Sequence, residues 1–253
     1  MAPANPWFPN RPADRPPRAR LFCIPFAGGA PTVFHGWQAR FPADIEVCPL
    51  HFPGRGNRLR EPSLRRMSSL IEQAAEAMAP LLNVPYAVLG HSLGALIGYE
   101  LVVHLRQAGQ AEPFLLIASG ARGPHIPDPF PPLHHLPQDE FIRGMQERYG
   151  GIPEEILAEP DLVALLVPPL QADLELFETY RYTPGEPLGC PIATFGGRDD
   201  HRVGEDQYRS WQEVTTGPVN MTMFPGGHFF IQQQGPAVAL ATAQACERAL
   251  AGA

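Results

Sequence analysis

The sequence predicts an α/β fold, a mostly parallel central sheet with helices on both faces. Three observations predict it. Short apolar runs alternate with segments of helical period, the runs end in Gly- and Pro-rich loops, and one of those loops is a Gly-x-Ser-x-Gly corner between a strand and a helix. In such sheets ligands bind beyond the carboxyl ends of the strands, so the loops at those ends are where functional residues are sought.

Residues 1–19 are rich in Pro, Arg and Asn and are expected to form a flexible lead-in, ahead of a single domain over 20–253. The apolar run 20–24 reads as the first strand and ends at Pro25-Phe26-Ala27-Gly28-Gly29; a second strand is expected over 45–50. From 68 to 82, Leu70, Ile71, Ala74, Ala75, Met78 and Leu81 follow helical spacing. A strand over 87–89 and a helix over 93–107 flank the serine corner, and 114–119 is the next strand. Between about 125 and 183 a Pro-rich stretch leads into short helical segments without a convincing strand, which reads as a helical lid inserted into the sheet. Its Phe141, Met145, Tyr149, Leu165, Leu166, Leu170, Leu174, Phe177 and Tyr180 are divided in expectation between lining a substrate pocket and packing the insertion on the core. Strands follow over 191–195 and 219–224, then a closing helix over 237–250.

Composition narrows the function classes. With 253 residues, 44% of them apolar, the chain suits a soluble globular domain with a buried sheet. A net charge of −7 offers no broad basic face to nucleic acid, and no apolar run reaches membrane-spanning length. A cytoplasmic location is therefore expected, with a monomer as the default. Cys23, Cys48, Cys190 and Cys246 lack disulfide-framework or zinc-site spacing and read as reduced, mostly buried thiols; no metal site is expected.

The corner Gly90-His91-Ser92-Leu93-Gly94 fits a nucleophile elbow, in which a strained turn exposes the serine hydroxyl above the sheet. A serine hydroxyl needs a base within hydrogen-bond reach, and that base needs an orienting group. In the α/β-hydrolase fold the order is Ser, acid, His, each on a loop leaving a strand. The loop after 191–195 carries Asp199 and Asp200, and the loop after 219–224 carries Gly226-Gly227-His228. Ser92 is the candidate nucleophile and His228 the candidate base; the residues alone leave Asp199 and Asp200 as alternatives for the acid. The backbone N–H groups of Leu93, after the nucleophile, and Ala27, on the first loop, are the candidate oxyanion donors. His91 is expected to pack or hydrogen-bond beside the nucleophile, and His134 and His135 to lie at the surface of the lid or shape substrate entry.

Leu21-Phe22-Cys23-Ile24-Pro25-Phe26-Ala27-Gly28-Gly29, Phe52-Pro53-Gly54-Arg55, Arg58, the elbow, Pro168-Pro169-Leu170-Gln171-Ala172-Asp173, Phe195-Gly196-Gly197 and Gly226-Gly227-His228-Phe229-Phe230 together resemble the type II thioesterases, the discrete editing enzymes of polyketide and nonribosomal peptide assembly lines. The resemblance runs from about residue 20 to near the end. It implies Asp200 as the acid, by alignment with a Gly-Gly-Asp-x-Asp-Pro pattern. Phe26, His201 and Gln171 depart from the family, where histidine, proline and arginine are common.

The resemblance also implies hydrolysis of aberrant or stalled acyl groups held on the phosphopantetheine arm of an acyl or peptidyl carrier protein, with no cofactor bound by the enzyme itself. Carrier proteins are usually acidic, so Arg55, Arg58, Arg60, Arg65 and Arg66 are the candidate docking surface, the alternative being a solvated loop and helix start. Two other functions remain open: a carboxylesterase or lipase-like hydrolase of oxygen esters, and a noncatalytic binding module on the same fold.

Overall fold

The computed structural model describes residues 5–9, 17–150 and 152–252. Its strands are β1 (Ala19–Ile24), β2 (Ile45–Pro49), β3 (Tyr86–His91), β4 (Leu115–Ser119), β5 (Ile192–Gly197) and β6 (Val219–Phe224), and they form one sheet in the order β2-β1-β3-β4-β5-β6. Every neighbouring pair is parallel, so the named strands form a wholly parallel sheet. The helices are α1 (Met67–Met78), α2 (Leu93–Gln107), α3 (Gln138–Tyr149), α4 (Glu154–Leu157), α5 (Pro160–Glu178), α6 (Glu205–Arg209), α7 (Phe230–Gln233) and α8 (Gly235–Ala251).

Side chains alternate across the strands, so each inner strand feeds two cores. Phe22, Ile24, Val88, Leu116, Ala118 and Ile192 turn to the face covered by α1 and α2, where Leu70, Ala74, Ile97 and Leu101 meet them. Leu21, Cys23, Leu89, Ile117 and Phe195 turn to the other face, covered by α8 through Val238, Ala239 and Cys246. Two 3-10 turns, Pro31–Phe34 and Trp37–Arg40, deliver Phe34 and Trp37 to this second core. They lie in a stretch that carries no helical or strand period, and the sequence did not announce them.

The lead-in departs from expectation. Trp7 and Phe8 are buried in the first core, Trp7 accepts a hydrogen bond from the His51 amide on its carbonyl, and the Arg58 guanidinium sits 4.8 Å above its ring. Two large aromatic side chains bury enough apolar surface to hold a short Pro-bounded segment on the sheet. Residues 1–4 and 10–16 lie outside the described residues.

Between β4 and β5 the chain runs through α3, α4 and α5. Leu133, Phe141, Met145, Val163, Val167 and Leu174 give this segment a small core of its own. Short segments were expected, yet α5 is a 19-residue helix that continues through Pro168 and Pro169. Two prolines remove two amide donors, and the buried face of Val163, Val167, Ala172, Leu174 and Leu176 holds the helix across them.

Candidate active site

The elbow is built by backbone contact. Ser92 has φ 55° and ψ −119°, the only non-glycine residue with positive φ among the described residues. Such a conformation costs about 1–3 kcal/mol and persists only where the surroundings impose it. A Cβ at Gly90 would stand 1.9 Å from the Gly94 carbonyl oxygen, and one at Gly94 would stand 2.3 Å from that of Ile24. Strand, corner and helix therefore touch backbone to backbone, and the Ser92 amide donates to the Ser119 carbonyl at 2.8 Å.

The loops after β5 and β6 bring the other two residues to this corner. His228 Nε2 lies 3.0 Å from Ser92 Oγ, and His228 Nδ1 lies 2.9 Å from Asp200 Oδ2. An ionised carboxylate only accepts, so Nδ1 carries the ring proton and Nε2 of the neutral ring accepts from the serine hydroxyl. Asp200 also accepts from the Arg202 amide at 2.8 Å, the Val203 amide at 3.3 Å and the Tyr208 hydroxyl at 3.2 Å. Burial pushes its carboxyl up, but the His228 hydrogen bond and charge, the Arg202 amide and Tyr208 together hold it below its ordinary value. Asp199, the other sequence candidate, is exposed.

His91 is fully buried within the elbow. Its Nε2 lies 2.9 Å from the His228 carbonyl and its Nδ1 lies 2.9 Å from Ser119 Oγ. Burial, then the nearby His228, push its pKa down to about 3. The ring is therefore neutral, with Nε2–H donating to the carbonyl and Nδ1 accepting from the Ser119 hydroxyl. It pins the backbone of His228.

Beside Ser92, the loop after β1 presents Ala27. In that loop the Gly28 amide donates to Asp173 Oδ2 at 2.7 Å and the Gly29 amide to the Phe26 carbonyl at 2.8 Å. Among the described residues the Ala27 amide has no such partner, and the Leu93 amide, first in α2, has no intrahelical acceptor. Both residues line a small recess with Ser92 and His228, and α2 directs the positive end of its dipole there.

Comparison with known proteins fits this arrangement. A family model for the thioesterase domain matches residues 19–246. The chain belongs to the thioesterase family. The chain is 39% identical to the gramicidin S biosynthesis protein GrsT of Aneurinibacillus migulanus over 229 residues, 90% of this chain and 89% of that one. Among solved structures, ClbQ of the colibactin pathway superposes with a TM-score of 0.88 at 28% identity, covering 93% of this chain and all of that one. The type II thioesterase BorB of the borrelidin cluster does so at 0.80 and 30% identity, covering 91% and 92%. The expected kinship with type II thioesterases and the α/β-hydrolase fold are borne out.

In this thioesterase a cavity of about 410 Å³ opens over Ser92 and His228. Of the side chains named from the sequence, Tyr149, Phe177 and Tyr180 line it, while Met145 and Leu174 line the smaller recess. Phe141 is buried in the insertion's own core, Leu170 packs against Gly28, and Leu165 and Leu166 point outward. The cavity also receives Arg122, His125, Asp128 and Arg202, which sequence reasoning did not single out. Their only sequence signal was proximity to strand ends. His134 sits outside it, with Nδ1 2.7 Å from Glu178, and His135 is exposed.

The arginine cluster divides. Arg55 is buried and paired bidentately with Asp173, at 2.5 and 2.6 Å, and Arg58 is buried against Glu61, the His51 carbonyl and the Trp7 ring. Neither is available to a docking partner, which corrects the sequence expectation: a guanidinium that finds a carboxylate and an aromatic face within the fold is held there. Arg60, Arg65 and Arg66 are exposed, Arg65 within 2.6 Å of Glu175. Among the described residues no helix is long and apolar enough to cross a membrane.

Proposed function

We propose that this thioesterase hydrolyses acyl groups from the phosphopantetheine arm of acyl or peptidyl carrier proteins in polyketide or nonribosomal peptide biosynthesis, clearing aberrant or stalled chains. The observation that carries the reading is the continuous Ser92–His228–Asp200 hydrogen-bond chain under the cavity. Ser92 attacks the thioester carbonyl as His228 takes its proton, and the amides of Ala27 and Leu93 receive the developing oxyanion. His228 then returns the proton to the departing pantetheine thiolate. With a thiol pKa of about 8.5 that group leaves readily and asks little of the acid. Water, deprotonated by His228, attacks the acyl-serine; the acid is released and Ser92 is restored.

Asp200 keeps the imidazole in the productive tautomer and stabilises the imidazolium that forms. No cofactor takes part in this scheme. Arg60, Arg65 and Arg66 supply a local positive surface for an acidic carrier, in a cytoplasmic, monomeric enzyme.

The test is acid release from a short acyl chain on a phosphopantetheinyl carrier protein, beside its oxygen-ester analogue, for wild type and Ser92→Ala. Serine-dependent turnover that favours the carrier thioester is the expected result. Turnover of the oxygen ester alone would move the chain to the carboxylesterases, and turnover of neither would refute the proposed activity on that acyl group.

A further inference from the structure

Arg202 follows the candidate acid by two residues, and each part of it is engaged differently. Its amide donates to Asp200 Oδ1 at 2.8 Å. Its carbonyl accepts from Arg122 Nη2 at 2.9 Å. Its guanidinium leaves the loop and enters the insertion, where it lies 3.9 Å from the centroid of the Phe130 ring and 4.7 Å from that of Tyr149. Nη2 is 3.3 Å from Asp128 Oδ1 and 3.2 Å from the Tyr149 hydroxyl. Asp128, Phe130 and Tyr149 all belong to the segment between β4 and β5, and all three line the cavity over Ser92. The Tyr149 ring lies 6.0 Å from the His228 ring.

A planar cation held over two aromatic rings and beside a carboxylate, in a site only 7% exposed, is a directional contact, stronger than its exposed counterpart. Among the described residues Nη1 of the same guanidinium is buried with no hydrogen-bond partner. The insertion thus grips the side chain of the residue whose amide grips the acid.

We propose that Arg202 is a positioning residue that makes the alignment of Asp200 depend on docking of the insertion over the cavity. The proposal rests on the reading of Ser92, His228 and Asp200 as the reacting set. With the insertion docked, Phe130, Tyr149 and Asp128 hold the 200–203 loop so that Oδ2 meets His228 Nδ1. When the insertion lifts to admit or release an acyl arm, the loop loses three of its contacts, and the acid is no longer held in register. The reacting set is complete only over a closed cavity.

The test compares Arg202→Met, Arg202→Lys, Phe130→Ala and the Arg202→Met/Phe130→Ala double variant with wild type. It reads kcat and KM on an acyl-carrier substrate, the rate of Ser92 labelling by a small fluorophosphonate, and the thermal midpoint. Loss of alignment lowers kcat and the labelling rate of Arg202→Met together, by roughly 10- to 100-fold, with KM little changed. Arg202→Lys recovers part of the loss because it keeps the charge on Asp128 without the planar stack. Phe130→Ala slows labelling in the wild-type background and adds little in Arg202→Met, since both remove the same contact.

A labelling rate and kcat for Arg202→Met within about twofold of wild type would overturn the proposal, as would full additivity of Phe130→Ala. Should Arg202→Met fail to fold, Phe130→Ala decides alone, because Phe130 is 41% exposed and outside the core; an unchanged labelling rate there overturns it. Labelling of Ser92→Ala would instead sink the reading of the reacting set, and the proposal with it.

Discussion

Replacing His91 by glutamine removes one titrating group while keeping an N–H donor to aim at the His228 carbonyl. The buried imidazole has a folded pKa of about 3 against an ordinary 6.5. As pH falls below 6.5 the unfolded chain binds a proton on His91 that the folded chain refuses, so stability is lost progressively from pH 6.5 toward 3. Between 6.5 and 5 the gap is 1.5 pH units; at about 1.4 kcal/mol per unit, the wild-type protein loses about 2 kcal/mol through His91 alone.

Urea unfolding at pH 7 and pH 5 reads the loss, provided the denaturant slopes agree. The glutamine variant starts from lower stability, because its amide does not reproduce the ring packing against Phe26 and Phe230. Its decline from pH 7 to 5 is nevertheless shallower than wild type by about 2 kcal/mol. The low pKa of Asp200 does not enter the difference, since that carboxyl is present in both proteins and its contribution is lost only as pH falls below about 4. Parallel declines in the two proteins would refute the neutral, buried assignment of His91, and with it the hydrogen-bond directions on both of its nitrogens.

Four further outcomes are expected. Asp200→Asn leaves the fold intact but lets the His228 ring adopt the wrong tautomer, and kcat on an acyl thioester falls by roughly 10³- to 10⁴-fold; a loss below tenfold would reassign the acid. Asp173→Asn leaves the buried Arg55 cation without its carboxylate and costs about 3–5 kcal/mol in urea unfolding, a loss under 1 kcal/mol speaking against the ion pair as a structural tie. Gly90→Ala forces backbone apart at the elbow, so fluorophosphonate labelling of Ser92 is expected to be lost whether or not the chain still folds; wild-type labelling would contradict the close approach. Arg65→Ser with Arg66→Ser raises KM for an acyl-carrier substrate and leaves KM for a small acyl thioester unchanged, and a rise in neither would remove these two side chains from docking.

The legible parts of this chain were those whose period or geometry repeats. The inner strands, α2 and β6 follow from apolar runs and helical spacing, and the helix over 93–107 matches its predicted limits. Ser92 and His228 were legible because an elbow and a Gly-rich loop after a late strand impose recognisable residues. In the sequence only the family pattern distinguishes Asp200 from Asp199; the structure separates them by burial and by four hydrogen-bond donors. The two 3-10 turns, α6 and α7 are too short to carry a period. The fate of the arginines was illegible for another reason: whether a guanidinium faces solvent or a carboxylate depends on residues far along the chain, as Arg55 and Asp173 show.

That last pair gives physical content to motifs that sequence comparison could only count. Gly54-Arg55 and Ala172-Asp173 meet because Asp173, on α5, accepts two guanidinium hydrogen bonds from Arg55 and one from the Gly28 amide. A Cβ on Gly28 would stand 2.9 Å from Leu170, also on α5, so the helix lies directly against the loop that carries Ala27. The insertion is therefore tied to the oxyanion side of the site through Arg55, Asp173 and Gly28, and to the acid side through Arg202, Asp128, Phe130 and Tyr149. The first tie is a bidentate, charge-assisted pair and the second is a stack with a longer ion pair, so the first is the stronger. Under the positioning role proposed for Arg202, opening of the insertion loosens the weaker tie first, so it leaves the loop of Ala27 in place and takes Asp200 out of register with His228.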